Sequence, residues 1–238
     1  MMSKKISNEA MQQAVLRSRE HWNTVRLGGP DGKGQKAAKP RITIAISREY
    51  GAQGSSLARE LAKRLHWPVY DRNILDRISD ETETRAAIFR RVDECDPNWF
   101  SNAWEGVTGK VTVAEQYNEH LPRVLLSLAY HGNCIIVGRG ACFVLPRETT
   151  LNIQCVAPLE ARVARIVREE GFPADEVKRH IEEMDGARQH WIRAHFHKDP
   201  EYSHFYDLIF NTARLTVPAC AEMAIRALAD VSEALTNQ

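Results

Sequence analysis

The sequence predicts an α/β protein in three layers, with a parallel five-stranded sheet between two layers of helices. Two observations lead to this fold class. Short apolar runs rich in β-branched residues alternate with longer amphipathic segments, and strands separated by helices imply right-handed crossovers between parallel neighbours. The runs are apolar throughout, as strands covered on both faces are. The predicted strands lie at 42–46, 68–70, 134–137, 151–156 and 207–210.

Amphipathic segments fill the intervals between these runs. In the first, Leu57, Leu61 and Leu65 recur at helical spacing and mark one apolar face. The fourth strand departs from the pattern, because Asn152 and Gln154 alternate with its apolar residues and need polar partners in a covered sheet. The remaining predicted helices lie at 113–128 (ending at Gly132), 159–170, 174–195 and 217–235.

Composition and charge narrow the functional classes. The chain has 238 residues, 43% hydrophobic and 26% charged, which is typical of a globular protein with a full core. The net charge of +1 gives no overall field to attract nucleic acid. The sequence contains no apolar run of about eighteen residues, the length that would predict a membrane span. The apolar stretch that follows the basic residues of a secretory signal is absent after Lys4 and Lys5. We expect a cytoplasmic protein without a nucleic-acid or membrane partner, and homo-oligomerisation stays open.

Cysteine usage agrees with a reducing compartment. The five cysteines are odd in number and widely spaced, which favours reduced, buried thiols over a disulfide scaffold.

Residues 1–41 differ in composition from the rest of the chain. They carry nine lysines and arginines against three acidic residues, and four of the thirteen glycines lie within 28–34. A helix is predicted from about residue 7 to residue 26, followed by a basic, glycine-rich linker. We therefore predict a boundary after residue 41, with one domain over 42–238.

The turn after the first strand, residues 47–56, joins that strand directly to a helix. Its small residues allow backbone amides to curl around an anion, and the helix N-terminus adds partial positive charge. Ser55 or Ser56 either caps the helix or places a hydroxyl on a bound Mg²⁺. The context predicts a phosphate-binding turn, with a tight turn and a serine cap as the alternative. The candidate phosphate-binding residues are Gly51, Ala52, Gln53, Gly54, Ser55 and Ser56.

A family resemblance rests on this turn and on four later segments. Residues 42–56 and the helix after them resemble the opening of cytidylate kinases, and I-A-I-S-R-E-Y-G at 44–51 resembles more closely the cytidylate kinase-like branch of the P-loop nucleoside monophosphate kinases. The resemblance extends over about residues 42–235. The later matches are V-G-R-G at 137–140, Glu160-x-Arg162-x-x-Arg165, the helix at 181–193 and Y-D-L-I-F-N-T at 206–212.

The resemblance implies a P-loop kinase fold with a helical lid at about 158–200. It also implies phosphoryl transfer from ATP, with Mg²⁺, to a small acceptor such as CMP or dCMP. Arg77 and Arg139 match arginines that hold the acceptor phosphate, and Asp185 falls in the substrate-binding part of the lid helix. The cations implied to act in catalysis are Arg48, Arg162, Arg165 and Arg188. Arg162 and Arg165 lie three residues apart on one helical face, so salt bridges are an equally good explanation of these two.

Two departures from the family pattern leave alternatives open. In the pattern G-x-x-x-x-G-K-[ST], Arg48 stands at the first glycine, Gln53 at the second and Gly54 at the lysine. Because the lysine neutralises the transferring phosphoryl group, either Arg48 supplies a cation from the other side of the turn, or the chain is a nucleotide-binding regulatory module with weak catalysis. Gly140 replaces an aspartate of cytidylate kinases, which leaves cytosine and ribose recognition open.

Four histidines lie close together near the end of the predicted lid: His190, His195, His197 and His204. Imidazole clusters bind Zn²⁺ or Ni²⁺. However, His190 and His195 are five residues apart and do not share one helical face. The spacing favours a solvated lid in which the rings stack, over a metal site.

Overall fold

The computed structural model describes residues 41–71 and 117–236 of the chain, with side chains from 121 onward in the second range. It contains a sheet of five strands, all parallel, in the order β2-β3-β1-β4-β5. The predicted fold class and all five predicted strands are therefore confirmed. The strands are β1 (Thr43–Arg48), β2 (Val69–Tyr70), β3 (Cys134–Val137), β4 (Thr150–Val156) and β5 (Leu208–Asn211).

The helices also follow the predicted order, with one addition. The short helix α3 was not predicted, because four residues are too few to show a periodicity. Within the described ranges, no helix is both long and apolar enough to cross a membrane. The helices are α1 (Gly54–Leu65), α2 (Tyr117–His131), α3 (Ala141–Val144), α4 (Leu159–Glu170), α5 (Ala174–Phe196) and α6 (Val217–Thr236).

The sheet is packed on both faces, which completes the three layers. On one face, Ile44 and Ile46 of β1 join a buried cluster with α1 and α6. On the other face, Ala45 and Ile136 join a second cluster with α2 and α3. Burial of each such aliphatic side chain stabilises the fold by roughly 1.5–3 kcal/mol, so these two layers fix the position of the strand ends.

The two amide side chains of β4 find partners within the fold. The Asn152 amide nitrogen donates to the carbonyl oxygens of Cys142 and Phe205, both at 3.1 Å. The Gln154 amide nitrogen donates to the Pro200 carbonyl oxygen at 3.4 Å. These contacts attach the segment after α5 to the sheet, and they explain how an alternating strand occupies a covered position.

The four cysteines in the described ranges are buried and free, as predicted: Cys134, Cys142, Cys155 and Cys220. Burial raises the pKa of the Cys134, Cys142 and Cys155 thiols to about 12. Cys95, Arg77 and nearly all of the predicted N-terminal helix and linker (1–40) lie outside the described residues.

Candidate functional site

The turn between β1 and α1, residues 49–53, lies at the carboxyl end of the central strand, between β3 and β4. It ends at Gln53, whose backbone is left-handed with a φ of 58°. The Gln53 carbonyl accepts hydrogen bonds from the amides of Ser56 at 3.0 Å and Leu57 at 2.9 Å, so α1 begins directly at the turn. The positive end of α1 therefore points to the edge where parallel sheets bind ligands.

Glu49 fixes the start of this turn to the end of β4. Its backbone amide donates to the Cys155 carbonyl oxygen at 3.1 Å, and its carboxylate accepts from the Ala157 amide at 2.9 Å. The Arg162 Nε lies 3.5 Å from the same carboxylate oxygen. The Glu49 charge is thus directed toward α4 and balanced there.

Arg162 of α4 holds the turn from beneath and is only 7% exposed. Its Nε donates to the Ala157 carbonyl oxygen at 2.8 Å and its Nη1 donates to the Tyr50 carbonyl oxygen at 3.1 Å. Nη1 also pairs with the Asp185 carboxylate. Arg162 therefore joins the turn, α4 and α5 through hydrogen bonds to the protein itself.

Arg165, one helical turn further along α4, attaches the turn to the exit of β5. Its guanidinium donates to the Gly51 carbonyl oxygen and, at 2.9 Å, to the Thr212 carbonyl oxygen. The Thr212 hydroxyl in turn donates to the Ala52 carbonyl oxygen at 3.2 Å. Partial burial lowers the pKa of Arg165. Like Arg162, Arg165 braces the backbone of the turn.

The lid helix α5 closes on the turn through Asp185 and Arg188. The Asp185 carboxylate accepts a hydrogen bond from the Tyr50 amide at 2.7 Å. Arg188 donates to the Arg48 carbonyl oxygen at 3.1 Å, and its guanidinium carbon lies 5.4 Å from the centroid of the Tyr50 ring. The turn is thus held by α5 on one side and by α4 on the other.

Arg48, the last residue of β1, runs across the start of α1. A β-carbon on Gly54 would lie 2.7 Å from the Arg48 Cβ, and one on Gly138 would lie 2.1 Å from the Arg48 Nη1. Burial and the nearby Arg188 lower the pKa of Arg48 to about 10, while Asp71 opposes the shift. Arg48 therefore remains a cation at neutral pH, with its guanidinium at the end of β3.

A cavity of about 600 Å³ opens beside this guanidinium, between the ends of β1 and β3, α3 and α5. Phe143 and Trp191 contribute aromatic walls, and Glu182 and Glu201 lie at its border. The arginines that line it are Arg48, Arg139, Arg162 and Arg188. The carboxylates of Glu49 and Asp185 also line the cavity and pair with Arg162. The cavity thus combines further guanidinium groups with flat apolar surface, a combination suited to a small anion that carries a ring.

The segment 138–140, after β3, forms one wall of the cavity. Arg139 has a left-handed backbone with a φ of 52°, and its guanidinium carbon lies 5.9 Å from the centroid of the Trp191 ring. Gly140 has a φ of 69°, and a β-carbon there would lie 2.2 Å from the Cε2 of Phe196. An aspartate at this position, the residue that the resemblance to cytidylate kinases leads one to expect, requires the Phe196 ring to move.

Comparison with known proteins decides the family. The profile of the cytidylate kinase-like family matches residues 43–214, which is most of the chain. The chain belongs to this family. A cytidylate kinase from Methanopyrus kandleri is 26% identical in an alignment of 183 residues that covers 73% of this chain and 86% of that protein. The resemblance inferred from the sequence is confirmed, and the chain is a nucleoside monophosphate kinase-like phosphotransferase.

Solved structures agree on the fold. An uncharacterised protein from Eubacterium ventriosum superposes with a TM-score of 0.63 at 19% identity, covering 80% of this chain and 99% of the other. The two chains therefore share a fold.

The structure brings most of the predicted site residues to one edge of the sheet. Around the cavity lie Arg48, Arg139, Arg162, Asp185 and Arg188. Arg165 contacts the turn from the α4 side instead. The sequence did not predict that Gly54, Gly138 and Gly140 leave room for the side chains of Arg48 and Phe196. For Gly54 and Gly140, the signal in the sequence was a glycine where the family pattern has a lysine or an aspartate.

The two serines predicted to hold Mg²⁺ differ in their surroundings. Ser55 is exposed in the first turn of α1, whereas the Ser56 hydroxyl accepts a hydrogen bond from Arg59 at 3.1 Å. An exposed hydroxyl oxygen is a hard ligand of the kind Mg²⁺ prefers. The surroundings of Ser55 therefore fit a magnesium ion better than those of Ser56.

The four histidines near the end of the lid form a possible metal-binding cluster in the sequence. In the described part of the chain, no group of three or more His, Cys, Asp or Glu side chains is placed to hold a metal ion. His195 stacks on Trp191, with ring centroids 4.6 Å apart and an interplanar angle of 28°. His204 lies against Tyr202 instead. These two histidines make ring contacts.

Proposed function

We propose that this protein transfers the γ-phosphoryl group of ATP to a pyrimidine nucleoside monophosphate such as CMP or dCMP. In this reaction the bond between the γ-phosphorus and the β,γ-bridging oxygen breaks, and a phosphate oxygen of the acceptor forms the new bond. ADP leaves with the electron pair of the broken bond. No general base is needed, since the acceptor phosphate is already ionised and nucleophilic. The observation that carries the proposal is the group of four arginines in a cavity whose wall includes Arg48, the residue packed against Gly54 at the N-terminus of α1.

The donor phosphates are proposed to bind at residues 51–56. The left-handed Gly51 and Gln53 shape the turn, and the N-terminus of α1 supplies amides and partial positive charge. Ser55 would hold the Mg²⁺, which when bound neutralises charge on the donor phosphates. Arg162 and Arg165 are proposed to act mainly by holding this turn in shape, because their donors already meet its carbonyl oxygens.

The acceptor is proposed to bind in the cavity. Arg139 would hold the acceptor phosphate, and Trp191 and Phe143 offer flat surfaces for a base. The family resemblance implies the same role for Arg77, which lies outside the described residues. Arg188, on the lid helix, would face the phosphates as the lid closes. A ligand of this size, rather than nucleic acid or a membrane surface, is the partner that this site suits. Cytoplasmic localisation and the domain boundary after residue 41 remain predictions.

The second candidate is a nucleotide-binding regulatory module. It is favoured by the absence of a lysine from the turn and by the Asp185 carboxylate, which already occupies the amide of Tyr50. Such a module would bind nucleotides with little turnover.

A coupled assay of ADP release separates the two functions. The full-length protein is assayed with ATP, Mg²⁺ and a panel of nucleoside monophosphates, and nucleotide-induced shifts of Tm are measured in parallel. Turnover that is greatest with CMP or dCMP supports the kinase. A rise in Tm without turnover supports the module, and the absence of both refutes the two proposals together.

A further inference from the structure

We propose that Arg48 and Gly54 are a reciprocal exchange of the glycine and lysine of the usual phosphate-binding loop, so that Arg48 delivers the cation to the transferring phosphoryl group. This inference rests on the proposed phosphoryl transfer. Gly138 belongs to the same arrangement, because the guanidinium occupies the space of its missing side chain.

The first argument is steric. A β-carbon on Gly54 would lie 2.7 Å from the Arg48 Cβ and 2.9 Å from its Cγ, closer than real β-carbons approach. Both of those atoms lie next to the backbone of Arg48 and cannot swing away as the tip of a long side chain can. Positions 48 and 54 therefore accommodate one long side chain between them. A lysine at 54 requires a glycine at 48, and an arginine at 48 requires a glycine at 54.

The second argument concerns where the charge arrives. The guanidinium of Arg48 ends against Gly138, where Nη1 and Cζ lie 2.1 Å and 3.1 Å from the position of a β-carbon. Gly138 has a φ of 80°, so its backbone also favours glycine. The guanidinium thus lies at the carboxyl end of β3, on the wall of the cavity. It contacts Gly138, the residue that precedes Arg139 in the sequence. It stands between the N-terminus of α1, the proposed donor side, and the proposed acceptor side.

The third argument is electrostatic. Arg48 is largely removed from water and feels the charge of Arg188, and both effects disfavour its cationic form. The Asp71 carboxylate acts in the opposite direction. An anion bound between Arg48 and Arg188 would relieve the repulsion, and a planar guanidinium pairs with two phosphate oxygens at once. The arrangement is therefore suited to a phosphate in the cavity.

The experiment compares three variants with the wild type: Arg48→Gly, Gly54→Lys and the double variant Arg48→Gly/Gly54→Lys. We expect Arg48→Gly to lose about 100-fold in kcat/KM, equivalent to about 2.7 kcal/mol, and most of the ATP-induced rise in Tm. Gly54→Lys, with two side chains in one space, should lose activity and melt at a lower temperature without nucleotide. The double variant restores the usual pattern and should regain at least about tenfold of the lost activity together with the ATP-induced shift.

Lys63→Gln is the matched control. It removes an exposed cation from α1, the helix that begins at Gly54, and its activity and Tm should match those of the wild type. A second measurement tests the role of Arg48 even if the double variant fails to fold. Millimolar guanidinium chloride, compared with sodium chloride at equal ionic strength, should partly restore the activity of Arg48→Gly and leave Lys63→Gln unchanged. This rescue reports on the missing charge itself.

The outcomes are distinguishable. A folded double variant no more active than Arg48→Gly overturns the inference about Arg48 while leaving the kinase proposal intact. If the double variant does not fold, the absence of guanidinium rescue overturns it instead. A wild type with no turnover for any nucleoside monophosphate refutes the proposed function, and the exchange falls with it.

Discussion

The arginines at the carboxyl edge of the sheet form two groups that differ in their partners. Arg162 and Arg165 donate to backbone carbonyl oxygens of the turn, of the segment after β4 and of the exit of β5. Arg48 and Arg139 instead extend along the cavity, one against Gly138 and the other over Trp191. All of these arginines carry the same charge, and a guanidinium binds through its hydrogen-bond donors. We therefore use the groups that each arginine contacts, and not its charge, to distinguish arginines that shape the loop from arginines that bind a ligand.

The largest effect should come from the bracing group. Arg162→Ala removes the cation that Asp185 and Glu49 share, and we expect a loss of about 3 kcal/mol in the free energy of unfolding. For a domain of this size the Tm should fall by roughly 6–12 °C. Thermal melting without nucleotide measures the effect.

The matched control is Arg193→Ala. Arg193 pairs with Asp199 and Glu201 at the surface, and the loss of such exposed pairs costs less than about 1 kcal/mol. If the two variants melt together, the distinction between bracing and exposed arginines is wrong.

The cavity group should show the reverse pattern. We expect Arg139→Ala to leave the Tm nearly unchanged but to lower kcat/KM for the acceptor by about 100-fold, equivalent to about 2.7 kcal/mol. The ATP-induced rise in Tm should persist, since Arg139 lies on the acceptor side. Steady-state kinetics with the acceptor varied, beside thermal shifts with ATP, give both quantities. A parallel loss of the ATP shift would move Arg139 to the donor side.

The comparison also shows what a sequence can and cannot predict. The strands and the longer helices follow from local apolar periodicity, so their order was predicted correctly and most of their ends lie close to the predicted ones. The partners of Arg162 were not predictable, because Tyr50 lies 112 residues away in sequence. The sequence therefore left catalysis and salt bridging equally open for Arg162 and Arg165, because only the folded chain shows which carbonyl oxygens their donors meet.

The glycines of the site teach the same lesson at shorter range. Gly54 and Gly140 looked like losses of a functional lysine and aspartate when compared with the family pattern. In the structure each faces another side chain, Arg48 or Phe196, within a distance that excludes a β-carbon. A missing side chain is therefore interpretable only together with the residue that fills its space.

Gly140→Asp tests this point directly. The new β-carbon would lie 2.2 Å from the Cε2 of Phe196, in a backbone with a φ of 69°. We expect a loss of about 2 kcal/mol in the free energy of unfolding, as overpacked sites show, although the change restores the residue of cytidylate kinases. Chemical denaturation measures it.

The partner variant separates crowding from backbone strain. Gly140→Asp/Phe196→Ala should recover part of that loss relative to Phe196→Ala alone, because the ring that collides has been removed. An equal penalty for Gly140→Asp in both backgrounds would assign the cost to the left-handed backbone rather than to Phe196.

The smallest effect concerns the contact by which the lid helix covers the turn. The Arg188 guanidinium lies over the Tyr50 ring, and that ring also meets His180 edge-on, with centroids 5.0 Å apart. We expect Tyr50→Leu to cost about 0.5–1 kcal/mol, the usual value of a partly exposed cation–π contact, and to lower the Tm by about 2 °C. Tyr50→Phe keeps the ring and should match the wild type. The backbone amide of residue 50 donates to Asp185 in both variants, so their difference isolates the ring. Equal melting temperatures for the two would mean that the ring contributes nothing and that the hydrogen bonds of Asp185, Arg162 and Arg188 hold α5 near the turn.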